Sequence, residues 1–76
     1  MLEELQDLLE SPGWKVIAAA LQERKTRHIL ELTRGSEASL ERLRYLQASI
    51  SEINFLLDWP ERMIEEARAK LARASA

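Results

Sequence analysis

Leu43, Leu46, Ile50, Ile53 and Leu57 follow one another at intervals of three, four, three and four. That alternation puts one side chain per turn on a single helix face, and it is the seam by which a helix packs lengthwise against another. Just upstream, Leu32-Thr33-Arg34-Gly35-Ser36 reads as helix end, turn and helix start. Gly35 suits a left-handed residue after the last turn, and Ser36 suits an N-cap. The chain is therefore expected to be all-α, an antiparallel, coiled-coil-like helical hairpin with short N- and C-terminal flanking helices.

The rest of the chain divides on the same signals. Leu2, Leu5 and Leu9 share a face, with Leu8 beside them and Glu3, Glu4 and Asp7 toward the positive end of the dipole. A helix over about 2–10 follows, too short to stand alone. Ser11-Pro12 caps and starts a second helix, about 12–33. Its apolar stripe is Trp14, Ile17, Ala18 and Leu21, resuming at Ile29, Leu30 and Leu32, with a polar stretch between at 22–28. The third helix is expected over about 37–57. Asp58-Trp59-Pro60-Glu61 reads as a break with a capping box, opening a fourth helix over about 60–73 that presents Ile64, Ala67 and Leu71. All four form one domain, 1–76. The terminal helices are expected to fold over the hairpin end that carries Trp14, Phe55 and Trp59.

At 76 residues a single core buries only about 60% of the unfolded surface and rarely supplies more than ~3–5 kcal/mol. There is no cysteine and one histidine, so disulfides, thiolate metal sites and multi-histidine sites are excluded, and no cofactor is expected. Self-association or docking on a partner protein remains as the source of extra stability. Net charge is −2, with both signs mixed. No apolar run approaches a membrane span, and the acidic N-terminus is unlike a secretion signal, so a cytoplasmic protein without membrane attachment is expected.

Little here resembles reaction chemistry. His28 lies in the polar stretch with Glu31 and Arg24 nearby and no nucleophile beside it. Glu65-Glu66 and Glu3-Glu4 are adjacent pairs, whose side chains diverge on a helix. Residues 22–44 hold six Lys/Arg against four Asp/Glu. The hairpin end near the turn is thus mildly basic, with ion pairs such as Glu23–Arg27 expected on its surface and Arg42 and Arg44 balancing Glu37 and Glu41. A DNA-binding helix-turn-helix needs shorter helices and a basic recognition helix. More informative is the surplus of large apolar side chains, Trp14, Phe55, Leu56, Trp59 and Met63, which either close the core or bind another subunit.

The segment from Tyr45 to Ile64, with Gly13-Trp14 ahead of it and the Trp59-Pro60-Glu61 step within it, resembles short, uncharacterised proteins of tailed bacteriophages encoded among head and portal genes. The resemblance spans roughly residues 13–64, and departs from the pattern at Ala48 and Asn54, where glycine and arginine are often found. It implies a role in virion assembly through protein–protein contacts, in the host cytoplasm or the virion, and carries over no active site. The expected function is non-enzymatic: a small assembly or adaptor protein, a homo-oligomer that docks on a larger protein. Contacts are expected through Trp14, Phe55, Trp59 and Met63 at the aromatic end and Arg24, Arg27 and Arg44 at the basic end. The alternatives are a regulatory nucleic-acid-associated protein using the basic end, or a small inhibitor of a host enzyme.

Overall fold

Ser11 sets the first change of direction. It precedes Pro12, which disfavours helical backbone at the residue before it, and it adopts φ −69°, ψ 143°. The computed structural model describes residues 1–34 and 39–75. Helix α1, Leu2–Glu10, ends at Ser11, and α2, Pro12–Thr33, begins immediately after it. The Ser11 hydroxyl donates to the Leu8 carbonyl at 2.7 Å and accepts from the Trp14 N–H at 3.1 Å. One side chain thus satisfies the end of one helix and the start of the next. Both helices have the expected bounds.

Helix α3 corrects the sequence reading. It runs from Leu40 to Ser75 without interruption, 36 residues with Pro60 inside. The break at Asp58-Trp59-Pro60 does not occur, and the expected helices 37–57 and 60–73 are one. The expected C-terminal flanking helix is therefore the second half of α3. At about 1.5 Å per residue such a helix is roughly 54 Å long, in keeping with the molecule's longest extent of 56 Å. Its start is capped by Ser39, whose hydroxyl accepts from the Arg42 N–H at 3.1 Å. The turn at Gly35 and the cap at Ser36 lie outside the described residues.

The physical reason for the continuity is phase. The three-four alternation does not stop at Leu57 but carries on through Pro60, Ile64, Ala67 and Leu71. Pro60 stands seven residues after Ile53 and fourteen after Leu46, and all three are buried, Leu46 and Pro60 completely. A proline inside a helix removes one hydrogen bond and crowds the carbonyl four residues back, at a cost of about 3 kcal/mol. Here the ring occupies a core position, which offsets part of that cost. Arg62 reaches back to the same turn and donates to the Phe55 carbonyl at 3.0 Å.

α2 lies antiparallel along the first half of α3, and α1 along the second half. On α2 the half-buried residues Trp14, Ala18, Leu21, Lys25, His28 and Leu32 also alternate by four and three. The polar stretch thus stays in the seam, with Lys25 and His28 taking two of its positions. His28 faces Tyr45, and Glu31 bonds Arg42. Each step up α2 is matched by one step down α3, so Trp14 sits level with Trp59. The molecule is elongated, 56 × 28 × 14 Å, and its buried apolar side chains are Leu5, Leu46, Ile53 and Ile64.

Candidate interaction face

The seam of α3 has a flank on either side, and the residues there decide the character of the two faces. At about 100° per residue, one flank is the stripe Tyr45, Glu52, Leu56, Met63, Ala67, Lys70 and Ala74. Two grooves run along it. The first is lined by Leu21 and Arg24 from α2 with Tyr45, Ala48, Ser49, Glu52, Ile53 and Leu56 from α3. The second is lined by Met1 and by Leu2 of α1 with Met63, Ala67, Leu71 and Ala74, edged by Glu66 and Lys70. Both floors are largely hydrocarbon.

The opposite flank is the stripe Ser51, Asn54, Asp58, Glu61, Glu65 and Arg68. Its grooves take Gln6, Asp7 and Glu10 from α1 on one side of Glu61 and Glu65, and Arg62 and Phe55 on the other. Carboxylates dominate this side.

Trp14, Phe55, Trp59 and Met63, the residues of the expected aromatic end, do not share one face. Trp14 is half-buried in the seam. Phe55, Trp59 and Met63 follow one another by four, and each such step turns about 40° around the helix. They therefore fan out rather than converge. Phe55, 48% exposed, leans to the polar side, where the Arg62 guanidinium lies 4.4 Å from its ring centre. Trp59 is 39% exposed and lies between the two. Met63 sits in the apolar groove beside Leu2. Leu56 and Tyr45, both exposed, belong to the apolar side.

Arg24, Arg27 and Arg44 are all exposed, and of these Arg24 borders the first apolar groove. The side-chain ion pair among the described residues is Glu31–Arg42, rather than Glu23–Arg27. It is bidentate, with Nε to Oε2 at 2.6 Å and Nη2 to Oε1 at 2.9 Å, and it ties α2 to α3. The hydrogen bond from Arg42 holds the Glu31 carboxyl below its ordinary range, and the same bond raises the Arg42 guanidinium. Arg42 also lies 5.0 Å from the Tyr45 ring centre, and Tyr45 meets the His28 ring edge-on at 6.1 Å. His28 Nε2 is buried there with no hydrogen-bond partner. The sequence signal for this cluster was the antiparallel register, which pairs 28 with 45 and 31 with 42.

Among the described residues no group of three or more His, Asp or Glu side chains is placed to hold a metal ion, and no helix is long and apolar enough to cross a membrane. The chain matches no family model, no curated protein and no solved structure.

Proposed function

We propose that this chain is a non-enzymatic assembly or adaptor module that works by burying its apolar broad face against another protein. The observation that carries the reading is the exposure of large apolar side chains on a molecule whose buried apolar side chains are Leu5, Leu46, Ile53 and Ile64. Ile17, Leu56, Trp59 and Leu71 are each between 39% and 58% exposed, whereas isolated monomers seldom leave such residues contiguous. Docking of an amphipathic helical face into a complementary surface is a common use of this arrangement. The bacteriophage resemblance makes virion morphogenesis the setting in which such a module would act.

The test separates a docking face from an internal one. Leu56→Glu combined with Trp59→Glu should leave the dilute chain helical by circular dichroism, with a melting temperature no lower than that of the parent. Collapse of helicity in the double variant would show that these side chains close the fold, and the reading would be lost.

A further inference from the structure

We infer that α1 is a strap that opens by itself, held shut by apolar contact and pushed open by like charge across the groove it shares with α3. The device goes beyond the docking reading and stands or falls without it.

The two ends of the rod are held with different strength. α2 is joined to α3 through the buried Leu46 and Ile53, the Glu31–Arg42 pair and the contact of His28 with Tyr45. α1 has nine residues, and Leu5 is the buried one among them. Among the described residues, no ion pair links α1 to α3. A helix this short does not persist alone in water, so α1 is helical only while docked.

The junction lets α1 leave without disturbing α2. Ser11 is extended, and Pro12 has no N–H to lose. The first turn of α2 is capped by Ser11 itself, whose hydroxyl accepts from the Trp14 N–H. The bond from that hydroxyl to the Leu8 carbonyl is what opening breaks there. On the facing strand, the register that pairs 28 with 45 and 31 with 42 pairs 13 with 60. Pro60 lacks the N–H that would bond the carbonyl four residues back. Both strands are thus interrupted at one level, between the part held by α2 and the part held by α1.

Charge opposes the docking. α1 carries Glu3, Glu4, Asp7 and Glu10 and no Lys or Arg. Asp7 and Glu10 share a groove with Glu61 and Glu65 of α3, and Arg68 is the one cation among the described residues lining it. All four carboxylates are exposed. Each repulsion is therefore weak and open to screening, but all act in the same sense. Opening carries Leu9 away from the groove it shares with Ile64, and Leu2 away from the wall of the second apolar groove. More of the apolar surface of α3 is then uncovered, and ionic strength sets the fraction of chains that show it.

Amide hydrogen exchange of the full chain, followed residue by residue by NMR, tests the strap. At low salt, amides 6–10 should be less protected than amides 18–30 of α2, because they open locally. Raising sodium chloride from about 0.01 M to about 1 M shortens the screening length from roughly 30 Å to roughly 3 Å. Protection at 6–10 should then rise about threefold relative to α2. Glu61→Gln with Glu65→Gln should raise it about as much at low salt and flatten the salt response. Amides 6–10 that open only together with α2 overturn the strap, and so do amides 6–10 that are unprotected at every salt. Protection that salt leaves unchanged or lowers overturns like charge as the force that opens it. The salt series on the parent decides that point even where the double variant does not fold.

Discussion

The two broad faces of this hairpin are made from the same three helices and flank the same seam, yet they differ in kind. One carries Leu56, Met63, Ala67 and Leu71 in shallow grooves, and the other carries Asp58, Glu61, Glu65 and Arg68. The seam itself is indifferent to this choice. It fixes which residues face the partner helix, and the residues one step to either side then fix which face stays apolar. In a thicker domain both flanks would be covered and the distinction would be lost. Here three helices leave both flanks, and the distinction between them, on the surface.

The largest effect is expected beneath both faces. Leu46 is 0% exposed, and truncating such a leucine typically costs about 2–5 kcal/mol. That is comparable to everything a single core of this size supplies. Leu46→Ala should therefore abolish cooperative melting of the dilute chain. If a second copy covers the apolar face, mass action should recover part of the helicity as concentration rises. Helicity that stays low at every concentration would indicate that the apolar face contributes nothing to the fold. A variant that melts like the parent would overturn the placement of Leu46 at the centre of the seam.

The next effect asks whether the apolar face is one line or two. Its grooves lie on either side of Pro60, and only a continuous α3 holds them in register. Restoring a backbone N–H with Pro60→Ala should gain about 3 kcal/mol of helix energy. It should lose the burial of two ring carbons, about 1.6 kcal/mol at ~0.8 each. The net gain of about 1.4 kcal/mol corresponds to a rise in Tm of roughly 6–11 °C for a domain of this size. A chain that broke at Asp58 would respond the other way, because proline favours the first position of a new helix. A fall in Tm on Pro60→Ala would therefore split the face in two.

These residues also mark what the sequence made legible. Ser11-Pro12 placed the α1–α2 junction because capping and proline geometry are local, and local physics reads directly from sequence. Leu46 and Ile53 were found because spacing along one helix reports burial. Asp58-Trp59-Pro60-Glu61 misled for the same reason. Its local signals are those of a helix start, and only the unbroken phase from Leu57 to Pro60, Ile64 and Ala67 shows tertiary packing overriding them. The cluster of His28, Glu31, Arg42 and Tyr45 spans two helices and could be read only after their register was known. Phe55, Trp59 and Met63 share the expected aromatic end, but steps of four drift around a helix, so they turn toward different faces, which their spacing also shows.

The smallest effect concerns the basic end of the apolar face, where Glu31 and Arg42 tie α2 to α3 beside Tyr45. Both side chains are well exposed, so the bond adds little to stability and is open to screening. Its signature is its pH dependence. The Arg42 hydrogen bond lowers the Glu31 pKa below 4.5 in the folded chain. The contribution is therefore fully present above the unfolded value and disappears as pH falls through the lowered folded value. Glu31→Gln keeps one acceptor for Arg42 but cannot titrate. The variant should melt slightly below the parent near about pH 7, and the two curves should converge as pH falls out of the ordinary carboxylate range and through the lowered folded value, where the parent's carboxylate is protonated. Glu4, held low by the N-terminal ammonium, titrates alike in both chains and drops out of the difference. A gap that stays constant down to acid pH would mean that Glu31 acts through packing rather than charge. The tie between the helices at this end of the face would then be the contact of His28 with Tyr45.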